Sequence, residues 1–178
     1  MVFLRRVDRI LNDPCYRKCL ERNAACEATR RFCRHDLQHM LDVSRITYML
    51  VLEDGGLGEG AAAQGVAGNS PAAVKEIIYA AGLLHDMGRW REYETGEDHA
   101  AAGARLAGPV LDRAGFDAVE RKIITTAIRE HRTKGGEASR LGQYLRRADD
   151  LSRPCSFCPA RADCYKLDRM ETAGMLLY

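Results

Sequence analysis

No stretch of this 178-residue chain approaches the roughly 20 consecutive apolar residues that a membrane-spanning helix needs, and the mean hydropathy is −0.33. The longest weakly charged run, Gly55 to Val74, is mostly glycine and alanine broken by Gln64, Asn69 and Pro71, which reads as a loop. The first residues carry Arg5, Arg6, Asp8 and Arg9 where an export signal needs its apolar segment, so a cytoplasmic protein without membrane attachment is expected. There is no excess of one charge either. With 27 Lys and Arg against 25 Asp and Glu, the formal net charge is +2, which argues against stable coating of nucleic acid. No run of alternating Val, Ile or Thr suggests a sheet, and no internal repeat of 20–50 residues is visible. What remains is 46% apolar residues, enough for one sizeable core without disulfides.

The dominant period is helical. His39, Val43, Ile46 and Leu50 recur at one-turn spacing within an expected helix from Phe32 to Leu52, which Asp54-Gly55-Gly56 stops. Ser70-Pro71 opens another helix, carrying Val74, Ile77, Ile78, Ala81 and Leu84 towards His85-Asp86-Met87-Gly88. Further stripes run His99, Ala102, Gly103, Leu106, Val110, then Phe116, Val119, Ile123, Ile124, Ala127, Ile128, His131, then Leu141, Leu145, Ala148, Asp149, Ser152. A helix from about Phe3 to Asn12 and one from Asp13-Pro14 to about Cys33 complete the chain. The expected organisation is an all-α helical bundle: N-terminal helices (1–31) packed on a core domain (32–153), a flexible Gly/Ala connection (54–70), and a cysteine-containing C-terminal tail (154–178).

Only five histidines are present, and His39, His85, His99 and His131 each fall on the inner stripe or at the end of a different helix. Asp86 adjoins one of them and Asp149 lies on the apolar side of the last helix. Carboxylates so placed are costly to bury alone, and polar ligands on inward faces are how a bundle builds a metal site. Imidazole and carboxylate donors without thiolate suit Fe, Mn, Co, Ni or Zn.

At these residues the sequence resembles a known family. Ala80–Arg89 (AAGLLHDMGR) is similar to the defining motif of the HD-domain superfamily of metal-dependent phosphohydrolases. His39-Met-Leu-Asp-Val43 resembles its first ligand segment, and Ala148-Asp149 its closing aspartate. His99-Ala-Ala-Ala-Gly-Ala104 and Ala127-Ile-Arg-Glu-His131 resemble the two additional histidines of members that hold two metals, such as the bacterial symmetrical diadenosine tetraphosphatases and the HD-GYP phosphodiesterases. The resemblance implies an HD helical bundle with two divalent ions in its core. His39, His85, Asp86 and Asp149 would bind the first, and Asp86 would bridge to a second completed by His99 and His131. Two ions about 3.5–4 Å apart deprotonate a shared water near neutral pH and offset charge on phosphoryl oxygens. The implied activity is hydrolysis of a phosphate ester or anhydride of a small phosphorylated metabolite or nucleotide.

Phosphate also calls for cations. Arg89, Arg132, Lys134 and Arg153 follow the ligand motifs directly and are the candidates, arginine being suited to bidentate contact. Asp42 and Asp150 are candidate outer acids or orienting groups. His35-Asp36 forms a second HD dipeptide, four residues ahead of His39, and His35 is expected beside the ligands or facing substrate. The same six ligands suit a di-iron oxygenase of HD fold. A sensor of redox or iron status is a third reading, because of the cysteines.

Those number seven, which cannot all pair within one chain and in a reducing compartment need another use. Cys155-x2-Cys158-x5-Cys164 has the knuckle spacing of a thiolate metal site. Pro159 stands where a c-type haem motif needs His. Cys33 precedes His39 by six residues and Cys155 follows Asp149 by six, so antiparallel helices would bring the two together. Cys33 is therefore the expected fourth ligand of an iron–sulfur cluster or Zn, with Cys15, Cys19 and Cys26 as rivals.

Overall fold

Side chains that satisfy exposed backbone N–H groups set where each helix begins. The computed structural model describes residues 3–55, 70–133 and 137–178. Helix α1 spans Arg5–Asn12, and Asp13 caps α2 (Pro14–Cys26) by accepting from the amides of Cys15 and Tyr16. Asp36 caps α3 (Leu37–Glu53) through the amide of His39. Ser70 caps α4 (Pro71–Leu84), with Pro71 in the first turn as expected. After the short α5 (Arg89–Thr95), Asp98 caps α6 (His99–Ala114), and a reciprocal Asp117–Glu120 box opens α7 (Ala118–Glu130). Ser139 caps α8 (Arg140–Leu151). Gly96 and Gly115 end α5 and α6 with φ of 75° and 90°, values that favour glycine. Among the described residues the fold is all-α, and none of its helices is long and apolar enough to cross a membrane.

The stripes read from the sequence form the core. Met40, Val43, Ile46 and Leu50 of α3 are buried against Ile77, Ile78, Ala81 and Leu84 of α4. On the other side α6 packs on α7, and α8 closes over α3 and α7. Gly82 lets α3 and α4 touch: a Cβ there would stand 2.6 Å from Ser44 Cα. Gly88 does the same for the turn after α4, where a Cβ would lie 2.5 Å from the amide of Gly103 in α6. Helix α1 buries Val7 and Ile10, and Arg6 joins Glu76 of α4 to Glu120 of α7.

Three expectations are corrected. Helix α2 ends at Cys26, not Cys33, and α3 begins at Leu37, not Phe32. The cause is Glu27, whose carboxylate accepts from the His35 amide and pairs with its imidazole, holding 27–36 as a turn. His35 thus precedes the helix. Val119 is half exposed because it lies five residues from Ile124, about 140° around the helix from that inward position. The 54–70 connection lies almost wholly outside the described residues, as does Lys134.

The C-terminal segment is built of 3-10 turns at Cys155–Phe157, Arg161–Asp163, Leu167–Arg169 and Glu171–Ala173. The first and last of these contact each other, and the last rests on α8.

Candidate metal centre

Three helices and two helix ends deliver the site. His39 comes from the first turn of α3, His85 and Asp86 from the turn that ends α4, His99 from the start of α6, His131 from the end of α7, and Asp149 from α8. All four imidazoles and Asp86 are buried. Two groups of potential ligands each lie within 4.8 Å: His39, His85, Asp86 and Asp149, and Asp86, His99 and His131. Asp86 belongs to both. Its Oδ2 is 3.4 Å from His85 Nε2 and 4.0 Å from His39 Nε2, while its Oδ1 is 3.1 Å from His99 Nε2 and 3.9 Å from His131 Nε2. Asp149 Oδ1 completes the first group, 3.3 Å from His39 Nε2 and 3.9 Å from His85 Nε2.

Each imidazole has its other nitrogen fixed. His85 Nδ1 donates to the Gly82 carbonyl at 2.7 Å and His131 Nδ1 to the Ile128 carbonyl at 2.6 Å. Ser152 Oγ, itself donating to the Asp149 carbonyl, lies 3.1 Å from His39 Nδ1. His99 Nδ1 is paired with the Glu92 carboxylate. With every Nδ1 so engaged, the four Nε2 atoms converge on the two aspartates, the tautomer and orientation that metal-binding histidines take. His35 repeats the pattern: Glu27 holds its Nδ1, and its Nε2 is 3.6 Å from Asp86 Oδ2.

The residues fit metal ions on a physical ground. His85 Nε2 and Asp86 Oδ1 are buried without a hydrogen-bond partner among the described residues. A neutral His85 whose Nδ1–H serves Gly82 turns a lone pair towards a carboxylate, and two facing acceptors in a dry site require a cation between them. Burial alone would lower the His85 pKa, but Asp86 and Asp149 together outweigh it and raise it. Asp86 and Asp149 stay ionised well below the usual carboxylate range, because the surrounding imidazoles, with Arg153 beside Asp149, outweigh burial. Burial pushes His39 and His131 down to about 4, which leaves them neutral, the form that binds metal.

The centre opens into a cavity of about 680 Å³. Arg89, Arg132 and Arg153 line it. Arg153 Nη2 is 2.9 Å from His39 Nε2 and 3.4 Å from Asp149 Oδ1. Arg89 reaches Glu92 at 2.9 Å and His99 Nδ1 at 2.6 Å, and Arg132 pairs with Asp98 at 2.7 Å. Asp150 is also on the cavity wall. Asp42 is not at the site; it accepts from Gln38 and Arg45 of its own helix. Glu27 and Glu92 have no counterpart in the sequence reading. Neither lies near a ligand motif on a helical stripe, and the only hint was the second dipeptide, His35-Asp36.

The HD-domain family model matches residues 36–153, a span that contains all six candidate ligands. The chain belongs to the HD-domain family. A relative from Clostridium beijerinckii, described as an uncharacterized protein, is 36% identical over 159 residues, covering 89% of this chain and 90% of its own length. The HD region also resembles part of two bifunctional uridylyltransferase/uridylyl-removing enzymes. That of Nitrobacter winogradskyi is 39% identical over 59 residues, and that of Bradyrhizobium diazoefficiens 32% over 88 residues. These matches cover 33% and 49% of this chain but only 6% and 9% of those enzymes. No solved structure matches the chain. Membership in the HD family carries divalent-metal binding and phosphohydrolase-type chemistry as its general expectation, and the buried His/Asp cluster is where this HD domain would bind metal.

Proposed function

We propose that this HD domain hydrolyses a phosphate ester or anhydride of a small phosphorylated compound at a two-metal centre. One observation carries the reading: the two oxygens of Asp86 face two separate sets of histidines. His39, His85, Asp86 and Asp149 would hold one ion, and Asp86, His99 and His131 the other. Two such ions, Fe, Mn, Co, Ni or Zn by donor type, supply Lewis acidity towards a phosphoryl group and activate water.

The chain's own residues do the rest. Glu92, Ser152 and the carbonyls of Gly82 and Ile128 hold the ligand imidazoles in one tautomer and orientation, so little rearrangement is needed during reaction. Arg153, anchored by the Arg34 carbonyl at 2.8 Å, and Arg132, half exposed at the cavity wall, offer N–H pairs to phosphoryl oxygens. Arg89, part-buried, pairs with Glu92 and so holds that carboxylate beside His99. Lys134 follows Arg132 by two residues in sequence and lies outside the described residues.

The same six ligands serve di-iron oxygen chemistry, and the cationic wall is what favours phosphate. Nucleotidyl esters head the substrate panel, because the partial relatives are named for removing uridylyl groups. The test is hydrolysis of aryl phosphomonoesters, aryl phosphodiesters and nucleoside di- and oligophosphates with added Mn2+ or Co2+. Metal-dependent phosphate or nucleotide release is expected. Metal-loaded protein inactive on all of them would overturn the reading.

A further inference from the structure

The hydrolytic reading leaves the cysteines unused, and the structure divides them into two groups. Cys15, Cys19 and Cys26 belong to α2. Cys19 is buried in the core, Cys15 packs against that core, and Cys26 Sγ lies 4.0 Å from Glu94. Cys33, Cys155 and Cys164, distant in sequence, line one cavity.

What brings them together is a set of contacts on either side of Cys33. Arg31 pairs with Asp163, one residue before Cys164. The ring of Phe32 meets that of Tyr165, one residue after Cys164, edge-on with centroids 6.2 Å apart. The carbonyl of Arg34 accepts from Arg153, two residues before Cys155. Cys33 is thus flanked by neighbours tied to both ends of the cysteine motif. Cys158 joins them locally. Its amide donates to the Cys155 carbonyl across the 3-10 turn, and side chains three residues apart in such a turn fall on the same side. The amide of Arg161 then donates to the Cys158 carbonyl, and that of Cys164 to the Arg161 carbonyl.

Two further observations point to an acceptor in this segment. Ser156 Oγ and Thr172 Oγ1 are buried without a hydrogen-bond partner among the described residues. They sit on the two 3-10 turns that touch each other beside Cys155. Anionic sulfur would satisfy such hydroxyls. The surroundings are cationic as well: Arg30 donates to the Cys33 carbonyl at 2.9 Å, and Lys166 and Arg169 line the same cavity. Four thiolates around a dication carry a net charge of about −2, and these side chains offset it.

We propose that Cys33, Cys155, Cys158 and Cys164 hold an iron–sulfur cluster at the rim of the active-site cavity. Cys33, Cys155 and Cys164 line an open cavity, which gives room for a cluster that binds each thiolate through a different iron, whereas a single zinc ion with Zn–S bonds of about 2.3 Å would draw its sulfurs to about 3.8 Å from one another.

The test is independent of hydrolysis. The full chain, purified anaerobically and reconstituted with ferrous iron and sulfide, should contain acid-labile sulfide, about four per chain for a four-iron cluster, and show broad visible absorption. Cys26→Ser should keep both. Cys33→Ser and Cys158→Ser should lose at least about five-fold of the sulfide while retaining His/Asp-bound metal and helical circular dichroism, which shows that they fold. In the unaltered protein Cys33, Cys155, Cys158 and Cys164 should resist iodoacetamide until the cluster is removed, while Cys26 reacts. Absence of sulfide, equal sulfide in the variants, equal alkylation with and without cluster, or colourless protein with zinc on these thiols would each overturn the proposal.

Discussion

The helical core and the C-terminal turns both gather side chains that metals seek, but they prepare them differently. In the core, each candidate ligand sits on or at the end of a helix, every Nδ1 is engaged, and the Nε2 atoms already converge on two aspartates. In the turns, the cysteines are linked by local backbone bonds and by contacts of their neighbours, and three of them line the wall of a cavity. Helices packed through Gly82 and Gly88 position a side chain by the whole core, whereas short 3-10 turns position it by a few bonds. The first design is pre-organised for small ions, and the second leaves room for a larger group.

The comparison breaks most sharply at Asp86. Replacing it by Ala removes a ligand from both groups, so activity with Mn2+ should fall by well over the about 100-fold that marks loss of an outer partner, and neither ion should be retained in equilibrium dialysis. A variant that keeps one ion at full affinity would show that the two groups are separate sites. Glu92→Gln tests orientation rather than ligation. It should cost about 10–100-fold in kcat/KM or metal affinity, with the six ligands intact, and an unchanged rate would mean that His99 needs no partner. Arg153→Ala should raise KM for a phosphorylated substrate about ten-fold or more, and Arg132→Ala less, because its side chain is half exposed and shared with Asp98.

Acid should separate the regions further. The folded values of His39 and His131, about 4, lie below the unfolded imidazole value of about 6.5. The stability they contribute is therefore present above pH 6.5 and is lost as pH falls towards 4, since the unfolded chain takes up protons that the fold excludes. His85, raised, acts above that window: its contribution is fully present below about pH 6.5 and is lost as pH rises. The Tm of metal-free protein should therefore fall between about pH 6.5 and 4, and a flat Tm would show that the carboxylates keep His39 and His131 charged. The smallest expected effect concerns packing. Gly88→Ala drives a Cβ into the backbone of α6 and should cost about 1–3 kcal/mol, a Tm lower by about 2–12 °C. Gly108→Ala, with nothing within 4 Å, should be neutral or stabilising by up to about 1 kcal/mol.

Much of the core was legible because helical periodicity and ligand chemistry coincide: His39, Val43, Ile46 and Leu50 share one stripe, and the apolar stripe of α8 ends beside Asp149. The resemblance to the HD superfamily added the pairing of ligands about Asp86, which periodicity alone does not supply. What was not legible acts across elements. Glu27 ends α2 yet shapes the entry to α3 and holds His35, and Glu92 orients a histidine on the next helix. Such pairings depend on the angle between helices, for which no local pattern codes. The cysteine motif showed its spacing, and Cys33 was placed near it by the expected meeting of helix ends. The contacts of Arg31, Phe32 and Arg34 that support this placement come from a turn where the sequence suggested a helix.

The shared carboxylate of Asp86 has a thermodynamic consequence. If one of its oxygens is drawn to the first ion, the direction and charge of the other are altered for the second, so the two affinities are linked. Whatever factor the first occupant imposes on the second must be returned by the second to the first. A titration of this protein with a divalent metal should therefore depart from two independent hyperbolas, and the sign of that departure measures whether a half-filled centre is a resting form or a fleeting one.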